Sequence, residues 1–180
     1  MNNLKNKNIL ITGGLGFIGS NLARKLVELN AKVTIIDSLS PSYGGNRFNI
    51  NEFTDNVEVH EIDVRDGHKM QELIADKDYI FNLAAQSSHS ESMIKPIEDL
   101  EINVVSMVSM LENCREINSN VKIIHASTRQ IYGKPQFIPV DESHLLRICA
   151  SIHPKLLPQT GCQTSLQPPL YCQICGMHFP

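Results

Sequence analysis

The stretch Thr12-Gly13-Gly14-Leu15-Gly16-Phe17-Ile18-Gly19 constrains this chain more than any other. A short apolar run, Ile9-Leu10-Ile11, precedes it, and Ile18, Leu22, Leu26 and Leu29 follow at helical spacing with Arg24, Lys25 and Glu28 between them. Buried strand, glycine turn and amphipathic helix in that order define the unit. Each glycine answers a physical demand. Gly13 or Gly14 takes the positive φ of a tight turn, and Gly16 removes the Cβ that would hold a pyrophosphate away from the backbone. Gly19 lets the helix pack closely on the strand. The unpaired amides of the helix's first turn, those of Phe17 and Ile18 among them, then face an anion at the positive end of the helix dipole. The unit reads as a dinucleotide site rather than a bare structural turn.

A second apolar run, Val33-Thr34-Ile35-Ile36, closes on Asp37, eighteen residues beyond Gly19. A carboxylate at that strand tip accepts hydrogen bonds from both adenosine ribose hydroxyls and repels a 2′-phosphate. Ser38 and Leu39 follow, with no adjacent Arg or Lys to neutralise such a phosphate. NAD rather than NADP is the expected cofactor. The competing reading of Asp37 is a solvated residue at a strand end.

At 180 residues the expectation is one core large enough to stand without staples. A hydrophobic share of 42 % and a formal charge of −3 give no basic surface for nucleic acid. No apolar run approaches the ~20 residues of a membrane span, and residues 1–8 lack the apolar segment of a secretory signal. The expected location is the cytoplasm.

From residue 7 to 127, short apolar runs alternate with helical patterns, which predicts a Rossmann-type doubly wound parallel α/β sheet. Strands are expected at Asn8–Thr12, Lys32–Asp37, Val57–Ile62, Tyr79–Ala84 and Val121–Ser127. Only the third alternates polar and apolar, so it belongs near an edge. Helices are expected over Phe17–Asn30, Gly67–Ala75 and Ile97–Glu116, and Ser38–Phe53 reads as a loop over the cofactor side. The sheet is expected to stop after its fifth strand. The domain division is 1–144 for the dinucleotide-binding unit and 145–180 for an irregular tail.

Ligands of such sheets sit at the carboxyl ends of the strands. The third run ends in Asp63-Val64-Arg65-Asp66, where Asp63 accepts from an adenine amino group and Asp66 is a helix cap. The fourth ends in Asn82-Leu83-Ala84-Ala85-Gln86, whose small residues let a cofactor, or an ordinary helix, pass close to the backbone. The fifth ends in Ser127-Thr128-Arg129-Gln130-Ile131-Tyr132-Gly133, hydroxyls suited to a substrate hydroxyl or ketone.

Taken together, Thr12–Gly19, Asp37, Asp63-Val64, Asn82–Gln86, Asn103-Val104 and Ser127–Gly133 resemble the extended short-chain dehydrogenase/reductase family. More narrowly, they resemble the NAD-dependent epimerases and dehydratases of nucleotide sugars, the UDP-glucose 4-epimerase type among them. The resemblance covers roughly residues 7–144. It implies a tightly held NAD that takes a hydride from a sugar carbon and usually returns it. It implies a homodimer and a nucleotide-sugar substrate. It places Thr128 on the catalytic Ser/Thr, with Ser127 and Tyr132 lining the substrate side, and Asn103 on the helix before the fifth strand. Asn103 equally suits satisfaction of nearby backbone. His89 and Glu91, in the loop after the fourth strand, either face substrate or are solvated.

The pattern breaks near Leu145. The family's Tyr-x-x-x-Lys base is missing: Lys155 has Ser151 four residues before it, and Tyr171 has Cys175 where a lysine belongs. A phenol with pKa ~10 needs that lysine to act as a base at neutral pH. In residues 149–180 stand four of the five cysteines and five of the nine prolines, but no Asp or Glu. We therefore expect the tail to be truncated or out of frame, leaving a non-catalytic NAD-binding protein as the alternative function. A zinc site from Cys162, Cys172, Cys175 and His178 is the weaker alternative for the tail, because one CxxC lacks its partner pair. No metal is expected.

Overall fold

The computed structural model describes residues 4–132 and 135–145. The described residues divide into two compact units, those up to Ala126 and those from Ser127 onward.

In the first unit, strands β1 (Asn8–Thr12), β2 (Lys32–Asp37), β3 (Val57–Glu61), β4 (Tyr79–Asn82) and β5 (Lys122–His125) form a parallel sheet in the order β3-β2-β1-β4-β5. The connecting helices are α1 (Phe17–Glu28), α2 (Gly67–Ile74), α3 (His89–Ile94), α4 (Pro96–Leu100) and α5 (Ser106–Ile117). The side-chain alternation of each strand sorts the core into two layers. Ile9, Ile11, Val33 and Ile35 face Ala23 and Leu26 of α1, with Ile50 and Phe53 beside them. Leu10, Ile36 and Ile80 face Met70 and Ile74 of α2 and Met110 and Cys114 of α5. Burial of each Val, Leu, Ile, Phe or Met among them stabilises the fold by roughly 1.5–3 kcal/mol. Helices therefore cover both faces, and the sheet is doubly wound as its sequence pattern predicts. The alternating strand β3 lies at an edge.

The elements differ from expectation at their ends. α1 stops at Glu28, two residues early, because Asn30 takes a left-handed φ of 60°. β3, β4 and β5 are shorter than their apolar runs, since ladder pairing ends before the apolar residues do. The helix expected over Ile97–Glu116 is a continuous run from Pro96 to Ile117, with one π-helical turn at Glu101–Val105. His89 and Glu91 lie in α3, not in a loop. Ser88 Oγ accepts from the Glu91 amide at 3.4 Å, and Ser-x-x-Glu is a helix-start spacing. The stretch 38–53 is a loop holding a short 3-10 turn, Arg47–Ile50, capped by Asn46 Oδ1 on the Phe48 amide.

In the second unit, His144 is buried, with Tyr132 edge-on to its ring at 5.6 Å and Phe137 tilted against it at 4.9 Å. Its Nε2 accepts from the Gln136 amide at 2.9 Å, and its Nδ1 donates to the Leu145 carbonyl at 2.9 Å. Among the described residues no helix is long and apolar enough to cross a membrane.

Candidate cofactor site at the strand ends

β1 and β4 are neighbours whose connections depart in opposite directions, so their carboxyl ends open a crevice. A cavity of about 290 Å³ fills it, walled by Gly13, Gly16, Asp37, Asp63, Val64 and Ala84 and by the loop after β2.

The glycine turn is built by close backbone contacts. Gly13 carries φ 67°, and its amide donates to the Ile36 carbonyl at 2.8 Å. A Cβ on Gly13 would stand 2.9 Å from the Ala84 amide nitrogen, so turn and β4 end are packed backbone to backbone. Gly19 is tight for a different reason than the sequence suggests. A Cβ there would lie 2.7 Å from Gly14 Cα and closer still to the Gly13 carbonyl, so α1 packs on the turn itself rather than on the strand. Gly16 caps α1 with extended backbone, no side chain caps the helix, and its first turn holds no acid. The first amides of α1, including those of Phe17 and Ile18, are left for an anion, while the Phe17 and Ile18 side chains point to solvent.

Asp37 sits on the cavity wall and does two jobs. Its Oδ2 accepts from the Leu15 amide and its Oδ1 from the Leu39 amide, both at 3.0 Å. Leu39 is thereby held at φ 48°. The carboxylate ties the glycine turn to the loop after β2 and keeps further lone pairs for a ligand. Across the cavity, Asp63 is gripped by Arg65, whose Nε reaches Oδ1 at 2.9 Å and whose Nη2 reaches Oδ2 at 2.6 Å. The guanidinium holds the Asp63 carboxyl below the usual carboxylate range. Arg65 also reaches Glu101 at 3.4 Å, and these two carboxylates hold its proton more firmly than usual. Asp66 caps α2 through the Lys69 amide at 3.2 Å.

The fold that carries this crevice is shared with known proteins. Residues 10–149 match the GDP-mannose 4,6 dehydratase family. The chain belongs to this family, that of the NAD-dependent nucleotide-sugar epimerases and dehydratases. A putative UDP-glucose 4-epimerase of Methanocaldococcus jannaschii is 36 % identical over 137 residues, 76 % of this chain and 43 % of that protein. The UDP-N-acetylglucosamine 4-epimerase of Methanobrevibacter ruminantium M1, solved with UDP-N-acetylmuramic acid, superposes with a TM-score of 0.69 at 34 % identity, covering 81 % of this chain and 45 % of its own. The UDP-glucose 4-epimerase of Stenotrophomonas maltophila, solved with NAD and formylated UDP-arabinopyranose, gives a TM-score of 0.68 at 26 % identity, covering 78 % and 43 %. The chain spans less than half the length of these relatives. They are enzymes, and the family is one of enzymes.

In this family member a polar chain, buried at Thr12 and Asn82, fixes the floor of the crevice. Thr12 Oγ1 donates to Asn82 Oδ1 at 2.7 Å and accepts from the Leu83 and Ala84 amides at 3.1 Å. Asn82 Nδ2 donates to His125 Nδ1 at 3.2 Å, and burial lowers the His125 pKa. Asn103 satisfies backbone: its Oδ1 accepts from the Gln86 amide, and its Nδ2 donates to the Gln86 carbonyl, both at 2.9 Å. Nδ2 also donates to Asp99 at 2.7 Å. The Gln86 side chain turns to Ser88 and Ser92 rather than into the cavity.

The structure brings Gly13, Gly16, Asp37, Asp63, Val64, Ala84 and Ala85 around one cavity. Gly19, Gln86 and Asn103 stand behind that wall. Ser127, Thr128 and Tyr132 belong to the second unit. Lys155, Tyr171 and the cysteine-rich tail lie outside the described residues, and among those described no cluster of three metal ligands exists. The cavity also uses Tyr43, Ser87, Ser88, Glu98 and Ile102, which the sequence reading passed over. The loop at 38–53 signals Tyr43. Nothing in the sequence signals Ile102, because the π turn shifts its register.

Proposed function

We propose that this chain binds NAD in the crevice and serves a nucleotide-sugar epimerase or dehydratase of the UDP-glucose 4-epimerase type. The observation that carries the reading is one cavity bounded by a glycine turn, an uncapped helix N-terminus and the Asp37 carboxylate. These suit a two-phosphate ligand with a ribose diol, since a Cβ at Gly13 would press on the crevice floor and the α1 amides favour negative charge. Asp37 receives the diol and excludes a 2′-phosphate. Asp63 and Val64 sit where the adenine edge belongs, and Ala84 and Ala85 leave room for the cofactor's middle. When bound, NAD supplies a reversible hydride acceptor. Thr128 is proposed as the catalytic hydroxyl, with Ser127 and Tyr132 on the substrate side. Homodimer formation is proposed as well. The exposed apolar row Ile97, Leu100, Val104, Val105 and Val108 along α4 and α5 supports it.

The sequence Ser151 to Lys155, which lacks a tyrosine, favours a second reading: cofactor binding without turnover. Calorimetric titration of NAD, with a parallel assay of UDP- and CDP-sugars, separates the two. Uptake with turnover supports the enzyme, and uptake without turnover supports the binding protein. A folded chain that takes up no NAD refutes both.

A further inference from the structure

The loop after β2 carries a tyrosine with no part in the cofactor reading. Tyr43 is half-buried on the cavity wall. It shares the wall with Ser88, which opens α3, and with Glu98 of α4, and the charges of Glu91, Glu98, Lys95 and Arg65 all lie within electrostatic reach of its phenol. Burial and the two carboxylates push the phenol up, so it is a proton donor at any physiological pH. Glu91 Oε2, for its part, is fully buried and has no hydrogen-bond partner among the described residues. A buried carboxylate oxygen without a donor is costly, so donor and acceptor across this gap are complementary.

The loop is tied at both ends. At one end the Leu39 amide is held by Asp37 Oδ1, with Leu39 at φ 48°. At the other the Asn46 amide donates to the Leu15 carbonyl at 3.0 Å. Between them stands Gly44, where an added Cβ would meet nothing within 4 Å. We propose that residues 40–45 are a strap over the cofactor cavity, latched by a hydrogen bond from the Tyr43 hydroxyl to Glu91 Oε2, and that the latch sets the rate of dinucleotide release. The inference rests on the NAD reading above. Asp37 couples strap and ligand, because the same carboxylate anchors Leu39 and receives the ribose diol.

The test is NADH release from the full chain, followed by fluorescence on displacement with excess NAD. It compares the unaltered protein, Tyr43→Phe, Glu91→Ala and the double variant. Glu91→Ala leaves the Glu91 amide on Ser88 Oγ in place. Each single change should speed release about tenfold, as for loss of a hydrogen bond to a charged group, and the double variant no more than either. Amide exchange over residues 40–46 should slow with NAD in the unaltered protein and not in Tyr43→Phe. Unchanged release from Tyr43→Phe, or multiplied effects in the double variant, overturns the latch while leaving the cofactor site standing. An unaltered protein that never takes up NADH overturns both.

Discussion

Gly19→Ala tests the architecture of the crevice most directly. The added methyl would lie 2.7 Å from Gly14 Cα and nearer still to the Gly13 carbonyl, and both neighbours are backbone. A side chain could swing aside, but this turn is tied to β2 through the Gly13 amide on Ile36 and packed on Ala84. Overpacking typically costs about 1–3 kcal/mol, and rigid backbone neighbours place this case near 3 kcal/mol. Replacing a helical glycine by alanine returns about 1 kcal/mol. The net loss is about 2 kcal/mol, which lowers Tm by roughly 4–8 °C in a chain of this size. The turn must also shift by some tenths of an ångström, moving the α1 amides off the phosphates. We expect NAD affinity to fall at least about tenfold, the equivalent of ~1.4 kcal/mol. Differential scanning fluorimetry with and without NAD, beside calorimetry, gives both numbers. An unchanged Tm and NAD affinity in Gly19→Ala would refute the reasoning.

Asp37→Ala should abolish NAD uptake and destabilise the fold by about 1.5 kcal/mol, because the Leu15 and Leu39 amides lose a charged acceptor; undiminished uptake in calorimetry contradicts this. Asn103→Ala strips three hydrogen bonds from the Gln86 turn and α4, and its urea midpoint should correspond to a loss of about 1–3 kcal/mol. Asn103→Asp keeps the acceptor but turns a carboxylate oxygen toward the Gln86 carbonyl and the Asp99 carboxylate, so its loss should be no smaller than that of the alanine variant. His125 has a pKa below 6.5 when folded, so the unfolded chain binds the proton more readily. Its contribution is whole above the unfolded value of 6.5 and is lost as pH falls toward the folded value. Tm should therefore drop less on acidification in His125→Gln than in the unaltered protein. Burial pushes the Cys114 thiol up to about 11, so peptide-resolved mass spectrometry should find it unalkylated by iodoacetamide at neutral pH until the protein unfolds.

Local pattern carried most of the fold. Apolar runs of strand length, glycines at a turn and helical spacing are short-range signals, and β1, α1 and β2 follow from them within two residues. The helix at His89 is signalled too, through Ser88 and Glu91, but four serines between Gln86 and Met93 give the stretch the composition of a loop. The site was half legible. Residues at strand tips, such as Asp37, Asp63 and Ala84, could be placed because a parallel sheet aligns its carboxyl ends. Tyr43 and Ile102 could not, since one rides a loop without periodicity and the other a π turn that breaks the helical count.

The chain's own order of residues determined that a parallel sheet forms, that a glycine turn opens its first helix, and that an acid ends the second strand. Those outcomes depend on backbone sterics and on periods of two and 3.6, which act over a few residues. Only the tertiary structure decided that Gly19 guards the turn rather than the strand, that Arg65 grips Asp63, and that Asn103 closes on Gln86 seventeen residues away. The first two are set by how the turn and the strand end fold back on themselves, and the third by how the helix packs on a turn seventeen residues away; spacing along the chain specifies none of these directions.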